Sequence, residues 1–145
     1  MPLIVDFDNP HVGANVELRG QYPSGVIDWG DGQWKVCPPG GRMSTFSLGT
    51  AETDIQEAQF RFFYPRVLVH LDVYNPLPKE VKLTLRAPEM REVTFTLKPG
   101  HLERLRTGWV NRESMVSFES DNLAALRFDN LAYSLYLSAK IDGSE

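Results

Sequence analysis

The sequence predicts an all-β protein built as an antiparallel β-sandwich. Three observations lead there. Apolar residues recur at every second position over much of the chain. Eleven glycines and ten prolines punctuate it at short intervals. Only Ala51 to Ala58 could form a helix, and for no more than a turn or two. Many short strands separated by Gly/Pro turns build sandwiches or barrels.

Taken in order, Leu3-Ile4-Val5-Asp6-Phe7 reads as the first strand, halted by Asn9-Pro10. Asn15 to Arg19, Gly25 to Trp29 and Gln33 to Val36 are short strand candidates. Between the last two, Gly30-Asp31-Gly32 reads as the turn of a tight hairpin flanked by Trp29 and Trp34, since Asp-Gly adopts positive φ at little cost. Gln59 to Tyr64 forms a strand ended by Pro65. Arg66 to Asn75 forms another, ended by Pro76 and apolar enough to be covered on both faces for part of its length. Val81 to Arg86 and Glu92 to Lys98 alternate apolar and polar without a fault. The short Ala87-Pro88-Glu89-Met90 connection makes them a hairpin with one buried and one wet face. Leu102 to Leu105, Met115 to Phe118 and Leu126 to Leu137 complete the strands, and residues 139–145 read as a frayed tail. With no repeat or linker dividing its 145 residues, the chain is expected to form one domain.

Composition narrows the function. Fifteen basic against nineteen acidic residues give a net charge of −4, which disfavours a general nucleic-acid binder. Cys37 is the only cysteine, so no internal disulfide can form and a cysteine-based zinc site is excluded. No run approaches the ~20 apolar residues of a membrane-spanning helix. The opening MPLIVDFDNP has neither a basic segment nor a long apolar one. The expectation is therefore a cytoplasmic protein, or a domain of a larger secreted or cell-surface one.

Three stretches carry a family likeness: Gln21-Tyr22-Pro23-Ser24-Gly25-Val26-Ile27-Asp28-Trp29-Gly30, Arg66 to Asn75 (RVLVHLDVYN), and Phe128-Asp129-Asn130-Leu131. Val5-Asp6-Phe7-Asp8 and Thr107-Gly108-Trp109 fit the same pattern in the same order. Together they resemble the galactose-binding-like carbohydrate-binding modules that bacterial proteins append to glycoside hydrolases and carry on surface proteins. The resemblance spans about residues 3 to 135 as scattered short motifs. It implies a jelly roll of two antiparallel sheets, no catalysis, glycan recognition through loops or a sheet face, and a structural calcium ion near the termini.

The residues themselves suggest where such functions would sit. Asp6 and Asp8, at i and i+2, share a face if the first strand persists that far. Asp129 and Asn130 lie in the last strand, which in a jelly roll approaches the first. These four offer the hard oxygens that calcium takes, although Asp8-Asn9-Pro10 also reads as an Asx turn. For a sugar, a flat aromatic face packs on the pyranose ring while polar side chains fork to its hydroxyls. Trp34 and Trp109 lie in or beside turn-rich segments and are candidate platforms or packed residues; Tyr22 precedes Pro23. Arg42, Asn111 and Arg112 are candidate polar partners. Trp29 shares a face with Ile27 and is assigned to the core.

Nucleophilic catalysis needs a nucleophile, a base and an orienting group, and no such set assembles. His11 and His101 sit in loops, His70 shares a strand face with Asp72, and Cys37 precedes two prolines. The protein is therefore expected not to be an enzyme. An alternative to sugar binding is a structural or protein-interaction module, an assembly subunit or spacer. Phe62 and Phe63 point to opposite faces, and Leu135-Tyr136-Leu137 is apolar on both; each feature suits a homo-oligomer or a neighbouring domain.

Overall fold

A computed structural model describes residues 3–8 and 15–135. Ten strands form in chain order: β1 (Leu3–Val5), β2 (Glu17–Gln21), β3 (Ile27–Cys37), β4 (Ser47–Thr50), β5 (Glu57–Tyr74), β6 (Val81–Arg86), β7 (Val93–Leu97), β8 (Leu102–Arg106), β9 (Glu113–Glu119) and β10 (Arg127–Ser134). Among the described residues the only helical turn is Leu123–Ala125, so the fold is all-β. Every pairing is antiparallel. This agrees with an antiparallel β-sandwich. The Ala51–Ala58 segment is not helical: it turns and then enters β5.

The pairing is organised by β5, whose 18 residues run straight through Pro65. Its first half pairs with β9, from Glu57 opposite Glu119 to Arg61 opposite Met115, and touches β3 at Ile27 opposite Phe62. Its second half pairs with β8 and β10. Two separate strands were expected because proline lacks an N–H. Here the β5–β9 ladder jumps from Arg61 to Arg66, so no ladder bond is asked of Pro65. β4 bridges β3 and β10, closing a ring of β3, β5, β10 and β4. The hairpin of β6 and β7 forms in the expected register, Val81 opposite Leu97 through Leu85 opposite Val93.

The core is aromatic. Phe7, Trp29, Trp34, Phe60, Phe118 and Phe128 are buried, and their rings meet at centroid distances of 5.1–6.2 Å. The expected hairpin between the tryptophans does not form, because β3 continues through Gly30-Asp31-Gly32. Gly30 (φ 79°) and Gly32 (φ 101°) instead shape a bulge, marked by a register shift against β2 between Leu18 and Arg19. Ile27 and Trp29 face inward before it, Trp34 and Val36 after it. β10 repeats the device at Asp129–Asn130, where Asn130 has φ 50° and the register against β5 shifts. Phe128 faces the core before this bulge, Leu131 and Tyr133 after it.

Candidate functional site

The structure withdraws the tryptophan platforms. Trp34 is fully buried and its indole N–H donates to the Gln59 carbonyl at 2.8 Å. Trp109 is 4% exposed, its indole N–H donating to the Arg91 carbonyl at 2.9 Å. Its backbone N–H is held by the Thr107 hydroxyl, which itself donates to the Leu68 carbonyl. A large ring in a turn-rich segment was removed from water because both the ring and its N–H found partners inside. Neither offers a face to a sugar. Trp29 is in the core as assigned, donating its N–H to the Tyr22 carbonyl.

The other expected ligand residues are scattered. Tyr22 is half-buried, and its hydroxyl donates to the Asp6 carbonyl at 2.7 Å. Arg42 is exposed and donates from Nε to the Gly100 carbonyl at 2.8 Å. Asn111 and Arg112 are exposed in the loop after Trp109. The structure therefore does not gather these residues around one surface point with the tryptophans.

The acidic residues do meet. β1 pairs with β10, Leu3 opposite Tyr133 and Val5 opposite Leu131, which brings the first and last strands together. Asp129 is 4% exposed; its Oδ1 accepts the Asn130 N–H at 2.8 Å and its Oδ2 the Thr45 hydroxyl at 3.1 Å. Asp8 accepts the N–H of the next residue, Phe46, at 3.0 Å, so both carboxylates hold one loop. Burial pushes the Asp129 carboxyl up to about 6, and the charges of Asp8 and Asp6 add to the rise against its two hydrogen bonds. Tyr22 is raised as well, by burial and then by Asp6, Asp8 and Asp129. Among the described residues no ion pair reaches these three carboxylates.

Asn130 departs from the expected set. Its side-chain amide turns to the neighbouring strand and donates to Asp72 at 2.9 Å. The Asx turn at Asp8-Asn9-Pro10 lies outside the described residues, apart from Asp8. Among the described residues, no three His, Cys, Asp or Glu side chains converge to hold one metal. The donors suit calcium in kind but do not close on a common point.

His70 sits beside this corner on β5, 7% exposed, with no partner for its Nδ1. Burial lowers its basicity, as do Arg104 and Arg106, against the pull of Asp72. Asp72 is committed elsewhere: Arg104 donates to it at 2.8 Å. Burial works to raise Asp72, but the hydrogen bonds of Arg104 and Asn130 hold it below the usual carboxylate range.

Among the described residues the exposed aromatics are Phe63 and Tyr64, 48% and 64% exposed, where β5 passes from one set of neighbours to the other. Their rings meet edge-to-face, centroids 4.9 Å apart at 83°. The backbone beneath them is fixed: the Phe63 N–H donates to the Val26 carbonyl at 2.8 Å, and Arg66 donates to the Tyr64 carbonyl at 2.9 Å. Phe62, by contrast, is buried, as alternation requires. Leu135 is exposed, whereas Tyr136 and Leu137, with His11, lie outside the described residues. The sequence displayed Phe63 and Tyr64 as part of an aromatic strand, but not that the pairing irregularity between Arg61 and Arg66 would leave both exposed. Thr45 carried no signal, because it meets Asp129 across 84 positions.

No protein-family model matches the chain, and no curated protein matches it.

Proposed function

We propose that the protein is a non-catalytic carbohydrate-binding module of jelly-roll type, with the Phe63–Tyr64 pair as its sugar platform. One observation carries this reading: two adjacent aromatic residues, one about half exposed and the other nearly two-thirds, stand on a backbone held by hydrogen bonds. A rigid exposed aromatic loses little conformational freedom when a pyranose ring packs on it. Arg66 and Glu113, opposite each other on β5 and β9, supply polar groups nearby. The scattered resemblance to galactose-binding-like modules supports the same class. Titration calorimetry with a panel of soluble glycans tests it: binding that weakens tenfold or more in Tyr64→Ala (about 1.4 kcal/mol) is the expected result. No heat with any glycan, or unchanged affinity in Tyr64→Ala, overturns it.

Calcium belongs to this reading as a structural ion on which Asp6, Asp8 and Asp129, not converged in the fold described, would have to close. Its charge would relieve three carboxylates that no cation among the described residues pairs with, one of them buried.

A second reading, a protein-interaction module, draws on β1. Among the described residues this strand has β10 as its only neighbour, and it leaves Leu3 and Ile4 half-exposed. Self-association visible as a concentration-dependent sedimentation coefficient, lost in Ile4→Lys, would favour it.

A further inference from the structure

The outer face of β3, β4 and β10 carries a second constellation. Register fixes its members: Lys35 lies opposite Gly49, Cys37 opposite Ser47, and Arg127 opposite Tyr74. The residues between them, Val36, Leu48 and Phe128, face the core, so alternation sends this set outward. There Lys35, Cys37, Ser47, Tyr74 and Arg127, with Gly41 from the following loop, line a cavity of about 290 Å³.

Two glycines make the room. A Cβ at Gly49 would lie 2.7 Å from the Cys37 Sγ and 3.2 Å from an Arg127 guanidinium nitrogen, so thiol and guanidinium share the space above it. A Cβ at Gly41 would lie 2.9 Å from the Tyr74 ring, which packs against the glycine backbone.

The lining mixes apolar groups such as Pro38, Met43 and Pro76 with the donors Asn15, Lys35, Ser47, Tyr74 and Arg127, and among the described residues it holds no acid. Ser47 is fully buried, and its Oγ has no hydrogen-bond partner. A buried hydroxyl left unpaired is costly, and a group that completes it gains accordingly. Arg127 is positioned by the Ala124 and Leu126 carbonyls, at 3.0 and 2.9 Å, both of which take the same nitrogen. Neither Arg127 nor Lys35 enters an ion pair among the described residues. In a chain of net charge −4, two cations facing one cavity without an acid stand out. Burial pushes the Cys37 thiol up, while Arg127 and then Lys35 pull it back, so both charges act at the same place.

We propose that this cavity is an oxyanion-binding site, taking the sulfate, phosphate or carboxylate group of a small ligand. Arg127 matches two oxygens at once, Lys35 adds a point charge, and the Ser47 and Tyr74 hydroxyls donate to the rest. The site is separate from the Phe63–Tyr64 platform and does not depend on it.

Amide NMR titrations of the whole chain with sulfate, phosphate and glucuronate, each against chloride at equal ionic strength, test the proposal. Saturable shifts at Cys37, Ser47, Gly49 and Arg127 are expected, and the tightest of the three anions identifies the group. Ser47→Ala leaves no partner unpaired and Lys35→Gln keeps the stem of the side chain. Each should weaken binding about fivefold or more, as loss of a donor to a charged group does. Slower alkylation of Cys37 in the presence of the anion is the second expected readout. Shifts that chloride reproduces, no saturation with any of the three, or undiminished binding in both variants would overturn it.

Discussion

Trp29 and Trp34 are five residues apart on one strand, yet both lie in the core with their rings edge-to-face at 5.7 Å. Strict alternation would send one of them to solvent. The Gly30-Asp31-Gly32 bulge shifts the phase by one residue and brings both inside. Gly32→Ala should therefore cost about 1–2 kcal/mol, because a Cβ is strained at φ 101°. A lower urea midpoint with an unchanged m-value is the check; stability equal to wild type would refute the bulge as drawn.

Asp129 gives a pH dependence of definite sign. Its folded carboxyl titrates at about 6, against 3.8 for the free group. Between those values the folded state binds more protons than the unfolded one, so stability falls as pH rises and stays low above 6. The penalty at neutral pH is on the order of 3 kcal/mol without a cation. Asp129→Asn should then raise the urea midpoint at pH 7.5 in chelator and flatten the profile between pH 4 and 6.

Calcium should reverse that preference. In wild type, millimolar calcium is expected to raise the melting temperature over EDTA, and Asp129→Asn should lose most of the shift. Identical melts in both conditions would remove calcium from the acidic corner.

His70 acts in the opposite sense. Its folded state disfavours the proton that the unfolded chain takes near pH 6.5. Stability is therefore present above 6.5 and declines as pH falls through the lowered folded value. His70→Gln should flatten that decline, leaving the Asp129 slope exposed. Equal pH slopes in variant and wild type from 6.5 to 5 would show that His70 does not titrate in this window.

Much of the fold was legible where one rule acted alone. The β6–β7 hairpin followed from alternation because both strands keep one face wet and no bulge interrupts them. Pro65 and the Gly30-Asp31-Gly32 run were visible but ambiguous: each is compatible with a stop or with a distorted continuation, and tertiary pairing chose the latter. The acidic corner was readable in part, since the first and last strands had to meet for Asp6, Asp8 and Asp129 to come together. Asn130 escaped because the bulge turns its amide toward Asp72. The tryptophans escaped for a different reason: proximity to turns says where the backbone is, not which way a ring points. The cavity of Lys35, Ser47 and Arg127 depends on two register matches, and register is not written in any single segment.

The long strand β5 bears on how the molecule can come apart. It is hydrogen-bonded to β3 and β9 at one end and to β8 and β10 at the other, with Glu57 reaching Glu119 and Val67 reaching Ser134. β1, β2 and the β6–β7 hairpin do not pair with β5 and can open while it stays in place, but β3, β8, β9 and β10 all hold it, so its central amides should be among the last to exchange with solvent. Since the β9 and β10 partners named lie more than sixty residues from their β5 positions, β5 also cannot gather these two neighbours until most of the chain is present. Folding should then be slow and late for a chain of this length, with completion coupled to arrival of the final strand.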